Sequence, residues 1–275
     1  MGSSKVNAAM SIVRSLRKIS GDIWGISRIV GLSTTAKWLA AILKNMPEIY
    51  RSGDLQAADR ALGSGPFQVN YSDEVNFRIA GPGALSGIRE MYVRDTYLRG
   101  GCLEIDDGDI VVDLGANMGN FTNLALAHGP RVKVIAVEPS HAYLRSMKAS
   151  LALNDGFAER VSVVQAFFGH ASSMQLDLSK DPSYAGTPWM TEEELLEATR
   201  LKYVDFLKCD IEGGEFGLLH RESALLRITR KLAIEVHAFA GDVQTFIHML
   251  NEVGFTVRHI QRDPDGTATV LARRG

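Results

Sequence analysis

The 275-residue sequence has few cysteines, almost no net charge and no long uncharged stretch. Its two cysteines, Cys102 and Cys209, cannot make a disulfide-rich scaffold, and we expect a reduced, cytoplasmic setting. A net charge of −2 gives no reason to expect a nucleic-acid partner. The longest run without a charged residue, 114–130, contains glycine, asparagine, histidine and proline, so no transmembrane helix is predicted.

The composition is otherwise that of a globular protein, with 45% apolar and 23% charged residues. Charge is unevenly distributed, because residues 1–45 contain seven Lys/Arg and one acid, whereas the remainder has 23 basic and 31 acidic residues. We therefore predict an N-terminal helical cap or docking segment over residues 1–65 and a main domain over residues 66–275.

The N-terminal segment carries two apolar stripes at helical spacing. Basic side chains lie opposite the first stripe, and Pro47 is expected to end the second. One interpretation is a cap whose apolar faces pack on the main domain. The other is a basic amphipathic surface that makes peripheral contact with an anionic membrane or docks on a protein partner. The first stripe is Ala9, Ile12, Val13, Leu16 and Ile19, and the second is Trp38, Leu39, Ile42, Leu43 and Met46.

The main domain begins with a predicted β-hairpin over 67–79 and a helix over 88–98. From residue 109 onward, short apolar strands alternate with helical patterns, which is typical of a parallel sheet covered on both faces. The last two strands predict an antiparallel C-terminal hairpin. The fold class is therefore α/β, with a mostly parallel Rossmann-like sheet preceded by N-terminal helices. The predicted strands are 110–114, 132–137, 161–167, 204–211, 232–236, 255–260 and 267–272, and the helices are 121–128, 141–153, 215–226 and 243–253.

A glycine loop, 113–119, follows the first of these strands. Gly115 and Gly119 allow a tight turn and close approach of the backbone to a ligand. Asn117 stands where a dinucleotide-binding loop has its middle glycine, which weakens the case for a nicotinamide cofactor. Asp113, at the end of the strand, favours a ligand with a cationic group, such as an amino acid with an ammonium and a sulfonium.

Two further strand ends carry candidate ligand-binding residues. Glu138 ends the second strand, 23 residues after Gly115, where a carboxylate can accept both hydroxyls of a ribose. Gln165 ends the third strand, where a polar side chain can bind the edge of an adenine. A solvated acid and an ordinary core position are the alternatives at these two sites.

The fourth and fifth strands end in charged residues. Lys208, Asp210 and Glu212 follow one another at the end of the fourth strand, and His237 shares a side of the fifth strand with Glu235. Asp210, Glu212 or His237 could accept a proton from a substrate hydroxyl, with Lys208 positioning an acid. A divalent metal held by Asp210, Glu212 and His237 is a less favoured alternative, because their spacing matches no closed metal motif. Structural ion pairs are the third possibility, and for Glu215 a contact with a helix N-terminus is favoured.

Taken together, these motifs resemble the FkbM-type methyltransferases. The resemblance covers roughly residues 70–260 and implies a class I methyltransferase fold with a seven-stranded sheet. It also implies S-adenosylmethionine as cofactor and methyl transfer to a hydroxyl of a sugar, polyketide or related small-molecule or glycan acceptor. The segments that carry it are Asp-Leu-Gly-Ala-Asn-Met-Gly at 113–119, Val-Glu-Pro at 137–139, Asp-Phe-Leu-Lys-Cys-Asp-Ile-Glu-Gly-Gly-Glu at 205–215 and Ile-Glu-Val-His at 234–237.

The resemblance also implies roles for individual residues. Asp113, Gly115, Asn117 and Gly119 would line the amino-acid end of the cofactor, Glu138 would bind the ribose, and Asp210 would lie at the methyl transfer site. Glu90 in the helix before the first strand is a further candidate for cofactor contact. The general base is open between Asp210 and His237. Tyr184 and Trp189, in the long connection 171–203, are candidates for stacking on an acceptor or for closing a lid.

Two other functions compete with methyl transfer at this stage. One is a nicotinamide-dependent oxidoreductase, against which Asp113 and the missing middle glycine argue. The other is a non-catalytic adaptor that docks through the basic N-terminal helices.

Overall fold

The structure is a computed structural model that describes residues 2–52, 55–219 and 223–275, with the backbone alone for residues 2–20. A seven-stranded sheet forms its centre, in the order β10-β11-β9-β8-β3-β4-β5. β11 runs antiparallel to both of its neighbours, and the remaining strands are parallel to one another. The strands are β3 (Ile110–Leu114), β4 (Lys133–Val137), β5 (Val161–Val164), β8 (Val204–Cys209), β9 (Thr229–Val236), β10 (Phe255–Arg262) and β11 (Ala268–Arg274).

This architecture confirms the predicted fold class, a class I methyltransferase sheet with an antiparallel C-terminal hairpin. The antiparallel strand is the second from the edge, because β11 folds back between β9 and β10. The glycine loop therefore lies near the middle of the sheet, between β3 and its helix, with the ends of β4 and β8 on either side.

Alternating side chains along the buried strands build two cores, one on each face of the sheet. Val111 of β3 packs in the core shared with the N-terminal helices, whereas the next residue, Val112, packs in the opposite core. Helices cover both faces, as a parallel sheet with nearly continuous apolar strands requires. The helices of the main domain are α4 (Ala84–Gly87), α5 (Asn120–Ala127), α6 (His141–Leu151), α7 (Ser173–Leu178), α8 (Glu192–Thr199), α9 (Ala224–Arg227) and α10 (Val243–Glu252).

Three helices precede the domain: α1 (Gly2–Lys44), α2 (Met46–Ser52) and α3 (Gln56–Ala61). Gly31 has a non-helical backbone (φ 84°) and divides α1 into two helical segments. Pro47 lies in the first turn of α2, where it costs no hydrogen bond, so it begins a helix rather than only ending one. The first predicted apolar stripe, at residues 9–19, has its side chains outside the described part of the chain. Of the second stripe, Trp38 and Ile42 are buried, whereas Leu43 and Met46 are exposed.

Buried charges hold α1 and α3 on the domain. The guanidinium of Arg89 pairs with Asp22 of α1 at 3.0 Å and with Asp59 of α3 at 2.6 Å, and all three side chains are almost fully buried. The indole of Trp38 donates to the same Asp59 carboxylate at 2.8 Å. Because removing one partner of a buried pair leaves an uncompensated charge, this network fixes the position of the N-terminal helices.

Two predicted helices are shorter in the structure. The helix expected over 88–98 is a π-helical turn, Ile88–Val93, and the chain then turns through Asp95 and Arg99, both with positive φ. The helix expected over 215–226 is a 3-10 turn, Glu215–Leu218, with α9 beginning later at a Ser223 cap. Gly217 weakens helix formation at 215–218. The hydroxyl of Ser223 then starts α9 by accepting the N–H of Leu226.

The expectation that no segment could span a membrane needs correction. In the described part of the chain, the segment Gly21–Lys44 is long and apolar enough to do so by length and composition, with a mean hydropathy of 1.2. The sequence analysis looked for long stretches without a charged residue. Arg28 and Lys37 interrupt this segment, so that criterion did not detect it. About a third of its apolar window is buried on the domain.

Candidate active site

The glycine loop after β3 brings three strand ends together. The N–H groups of Gly115 and Ala116 both donate to the carbonyl of Val137 at the end of β4. Gly115 has φ 73°, and a Cβ there would lie 1.7 Å from the carbonyl oxygen of Asp210, just after β8. Only glycine fits at this position, because the positive φ and the close backbone both exclude a side chain. Asn117 also has a positive φ. At Gly119, just before α5, a Cβ would collide with the side chain of Met147 of α6.

Asp113 lies beneath this loop and not in the crevice above it, contrary to its predicted place beside a cofactor. Its carboxylate is fully buried, accepts the hydroxyl of Thr122 at 2.7 Å and lies 3.3 Å from the ammonium of Lys208. Alternation along β3 puts Asp113 on the same face of the sheet as Val111, and α5 covers that face. The pair fixes the start of α5 against β8.

Lys208 is equally buried and contacts both the loop and the strand-end acids. Its ammonium donates to the carbonyl of Gly115 at 2.7 Å and of Leu114 at 3.3 Å, and lies 3.9 Å from Asp210. Burial opposes the charge, but Asp113 and Asp210 outweigh it, so the pKa of Lys208 is raised. A permanently charged Lys208 therefore holds the glycine loop in its turned conformation.

Glu138 lies at the end of β4 in the wall of the crevice. Its two carboxylate oxygens accept the N–H groups of Asn117 and Ser140 at 2.8 Å and 2.7 Å. Burial raises the pKa of this carboxyl to about 7, and the two N–H donors only partly oppose that shift. Glu138 thus connects β4 to the glycine loop while it faces an open space.

Gln165 does not face that space. The predicted strand ran to residue 167, but β5 ends at Val164. Gln165 therefore follows the strand, and its side chain reaches sideways across the chain. Its amide lies 2.8 Å from His141 and 3.3 Å from both the carbonyl of Pro139 and the hydroxyl of Thr187. Gln165 therefore joins α6 to the long connection and lies outside the lining of both cavities described below.

A cavity of about 150 Å³ opens over these strand ends. Phe167, in β6 (Phe167–Phe168), stacks between Tyr184 at 5.5 Å and Trp189 at 4.6 Å between ring centroids. Trp189 lies in β7 (Trp189–Met190), which pairs with β6, so this tryptophan packs on Phe167, whereas Tyr184 lines the cavity. The cavity is lined by Gly115, Asn117, Glu138, Tyr143, Phe167, Tyr184, Asp210 and Glu212, among others.

A second cavity, of about 500 Å³, continues on the other side of Gly115 and Asp210. Glu90 is exposed and lines this cavity. The cavity walls remove part of its hydration, which raises the pKa of its carboxyl, and the negative charge of Asp210 raises it further. Tyr97, Lys208 and Asp210 lie on the same wall. Because Asp210 lines both cavities, the strand end after β8 stands at their junction.

Carboxylates are concentrated at this junction. The hydroxyl of Tyr97 donates to Glu235 of β9 at 3.1 Å and lies 3.4 Å from Asp210. Burial, together with the nearby Asp210, raises the pKa of Glu235 to about 8. Burial, with Asp210 again adding, also raises the pKa of Glu212. Such a crowded acidic crevice favours a cationic ligand, since positive charge relieves the mutual repulsion.

His237 stands at the edge of this group, held by a buried glutamate. Its Nδ1 lies 3.0 Å from Oε1 of Glu215, which is fully inaccessible and also accepts the N–H groups of Ile211 and Gly213. The other ring nitrogen, Nε2, lies 3.9 Å from Asp210 and 3.6 Å from Glu212. Burial disfavours the charged ring, but the hydrogen bond and charge of Glu215 and the nearby acids raise the pKa of His237 to about 9.

The same residues include the one group in the described ranges that could hold a metal ion. Asp210, Glu215 and His237 offer ligand atoms within 4.8 Å of one another. The sequence analysis had considered Glu212, and not Glu215, as the third ligand of such a metal ion. Since Oε1 of Glu215 already accepts three N–H groups, we interpret Glu215 first as the residue that orients His237.

Sequence reasoning missed two residues of this arrangement. Tyr97 was counted among helical positions, yet it is fully buried and touches both strand-end acids. Glu215 was assigned to a helix terminus, but its carboxylate meets His237 on the next strand. The Gly213-Gly214 pair before Glu215 was a signal for a turn that could bring it back toward the sheet.

Comparison with known proteins gives the chain a family. The sequence profile of the Methyltransferase FkbM domain matches residues 113–257, just over half of the chain. AMB antimetabolite synthetase AmbE of Pseudomonas aeruginosa is 26% identical over 224 residues, a match that covers 62% of this chain and 10% of that much longer protein.

The solved structures that align with the chain are distant in sequence. Precorrin-6y C5,15-methyltransferase of Geobacter metallireducens aligns at 15% identity and a TM-score of 0.45, over 66% of this chain and 88% of its own. Fibrillarin of Aeropyrum pernix, with natively bound S-adenosyl-L-methionine, aligns at 13% identity and a TM-score of 0.40, over 62% of this chain and 68% of its own.

The matched segment runs from the end of β3 to the start of β10 and contains the glycine loop, Glu138, Asp210, Glu215 and His237. It thus includes most of the crevice built above. The match favours a methyltransferase over a nicotinamide-dependent oxidoreductase. The chain belongs to the FkbM methyltransferase domain family.

Proposed function

We propose that this enzyme methylates a hydroxyl oxygen of a sugar, polyketide or related small-molecule or glycan acceptor. The observation that carries the proposal is the contact between Glu215 and His237 beside Asp210. A buried carboxylate that accepts Nδ1–H leaves Nε2 as the ring's only basic position, pointing toward the strand-end acids. A hydroxyl needs such a base as it becomes a nucleophile, because its own proton is held tightly.

The residues of the crevice fit the cofactor that the family uses. Glu138 offers a buried carboxylate to hydroxyl donors, and Phe167 and Tyr184 line the same cavity with aromatic surface. Glu90 and Asp210 offer negative charge toward a cationic amino-acid end. When bound, S-adenosylmethionine supplies an electrophilic methyl group on a positively charged sulfur.

The chain's own contribution is proton transfer and alignment. Nε2 of His237 accepts the acceptor's proton once the ring is neutral, and Glu215 stabilises the resulting imidazolium. Asp210, at 3.9 Å from that nitrogen, is the other candidate base and would also orient the hydroxyl. The stacked Phe167, Tyr184 and Trp189 close one side of the crevice, which limits access of competing water.

The acceptor class rests on the crevice and on the relative's name. Carboxylates and a tyrosine hydroxyl at the junction can accept and donate hydrogen bonds to a polyhydroxylated molecule. The synthetase AmbE, named for an antimetabolite, supports a small-molecule acceptor.

The test is a screen with ¹³C-methyl-labelled S-adenosylmethionine against matched acceptors. Each hydroxylated sugar or polyketide is paired with its amino analogue, and release of S-adenosylhomocysteine is followed together with the ¹³C shift of the product methyl. We expect an O-methyl product and a rate that rises with pH toward about 9 in kcat/KM, because His237 must lose its proton.

Variants separate the two candidate bases. His237→Asn should lower kcat by at least about 100-fold and remove the rising limb, while S-adenosylhomocysteine still binds. Methyl transfer only to nitrogen or carbon would refute the proposed acceptor atom. An unchanged limb in His237→Asn would refute His237 as the base.

A further inference from the structure

The outward side of the N-terminal helices carries an unusual number of exposed apolar side chains. Three are aliphatic or thioether side chains: Leu32 is 79%, Leu43 73% and Met46 52% exposed. Two are aromatic, with Trp24 68% and Tyr50 91% exposed. Large apolar side chains grouped in this way mark a contact surface rather than ordinary surface scatter.

Helical spacing places these side chains opposite the domain. In the second segment of α1, buried Trp38, Ala41 and Ile42 face inward, and Leu32 and Leu43 fall on the other side. In the first segment, Ile26 and Ile29 face inward while Trp24 does not. We call the exposed side the outer face, defined by Trp24, Leu32, Leu43, Met46 and Tyr50.

Positive charge accompanies the outer face. Arg28, Lys37, Lys44 and Arg51 are exposed, and the guanidinium of Arg28 lies 5.7 Å from the centre of the Trp24 ring. Between residues 21 and 52 there are two acids. Asp22 is buried in the ion pairs with Arg89 and Arg94, and Glu48 is paired with Arg60 at 2.7 Å.

From these observations we infer that the outer face docks on the surface of an anionic lipid bilayer. Exposed leucines enter the acyl boundary, tryptophan and tyrosine prefer the headgroup level, and lysines and arginines attract anionic lipid. A second copy of the chain fits less well, because a symmetric contact would bring the same positive charges face to face.

The helix lies on the membrane rather than crossing it. A spanning Gly21–Lys44 would have to withdraw Asp22 from Arg89 and Trp38 from Asp59, and would place these polar groups in hydrocarbon. The buried network therefore keeps the inner face on the domain while the outer face is free to bind lipid. Docking in this way holds the crevice at a set distance from the bilayer.

The experiment uses the full-length protein and sedimentation with vesicles of phosphatidylcholine alone or with phosphatidylglycerol. We expect binding to the anionic vesicles, weakening with added salt, and little binding to the neutral ones. Lys37→Glu/Lys44→Glu and, separately, Leu32→Ser/Leu43→Ser should each lower the partition coefficient by at least about 10-fold. The matched control Lys133→Glu/Lys148→Glu makes the same charge change on the exposed surface of β4 and α6, and should bind as the wild type does.

Tryptophan emission supplies a second readout that does not depend on yield. Anionic vesicles should shift the emission of the wild type to shorter wavelength, and Trp24→Phe should remove that shift, because Trp38 is already buried and Trp189 stacks on Phe167 outside the outer face. No binding to anionic vesicles by folded wild type would overturn the proposal. So would a dimer in light scattering that the leucine variant dissociates, or a protein released from membranes only by detergent.

Discussion

The pH dependence of product binding is the sharpest test of the crevice, since it isolates Glu138. Burial raises the pKa of this carboxyl to about 7, so the free protein holds it half ionised near neutrality. Ribose hydroxyls donate hydrogen bonds, and they bind the ionised form better than the protonated one. Affinity for S-adenosylhomocysteine should therefore fall as the pH drops below the pKa of Glu138.

The magnitude follows from that pKa. Each pH unit below it lowers the ionised fraction of Glu138 about tenfold, so the dissociation constant should rise by up to about 100-fold between pH 8 and pH 5. Glu138→Gln cannot ionise, so its dissociation constant should be nearly independent of pH over the same range. At pH 8 that variant should bind about 10- to 100-fold more weakly, because hydrogen bonds to a charged group are lost.

Isothermal titration calorimetry at pH 5, 6, 7 and 8 measures both quantities, with circular dichroism to confirm folding at each pH. Glu159→Gln changes an exposed acid of the same domain and should retain the wild-type slope. A flat wild-type profile would refute the role of Glu138. A slope that persists in Glu138→Gln would assign the titration to other acids of the crevice, such as Glu90 or Glu212.

Three other outcomes follow from single contacts. Gly115→Ala should lower the free energy of unfolding by about 3 kcal/mol or more in urea titrations, because its Cβ would meet a carbonyl oxygen of the neighbouring strand end. Gly100→Ala has a similar φ and open space, so it should cost only about 1 to 2 kcal/mol. Arg89→Met should cost about 3 to 5 kcal/mol, because it leaves the buried carboxylate of Asp59 without its arginine and Asp22 with Arg94 alone, against less than about 1 kcal/mol for the exposed Arg60→Met. Glu215→Gln should move the rising limb of kcat/KM down by about one to two pH units, because a neutral amide no longer stabilises the imidazolium on β9; an unmoved limb would contradict that role.

Local pattern was sufficient for the central sheet. Strands buried on both faces are continuous apolar runs, and short-range turn residues such as the Asp-Pro-Asp-Gly at 263–266 close the last hairpin. The glycine loop was equally readable, because the backbone conformation at Gly115 excludes every side chain. The sequence predicted longer helices at 88–98 and 215–226. The signals that break them, the positive φ of Asp95 and the new helix start at Ser223, depend on contacts formed only on folding.

The roles of the charged residues divide along the same line. The sequence by itself determined that Asp113, Lys208, Asp210, Glu215 and His237 gather at one edge of the sheet, because parallel strands end together. Only the tertiary structure decided which of them face the crevice. Asp113 lies under the loop beside Lys208, whose side chain also lines the second cavity, whereas Glu215 returns from a neighbouring turn to hold His237. Which way a charged side chain points depends on how deeply it is buried and on partners from distant segments. Neither can be read from the order of residues within one strand.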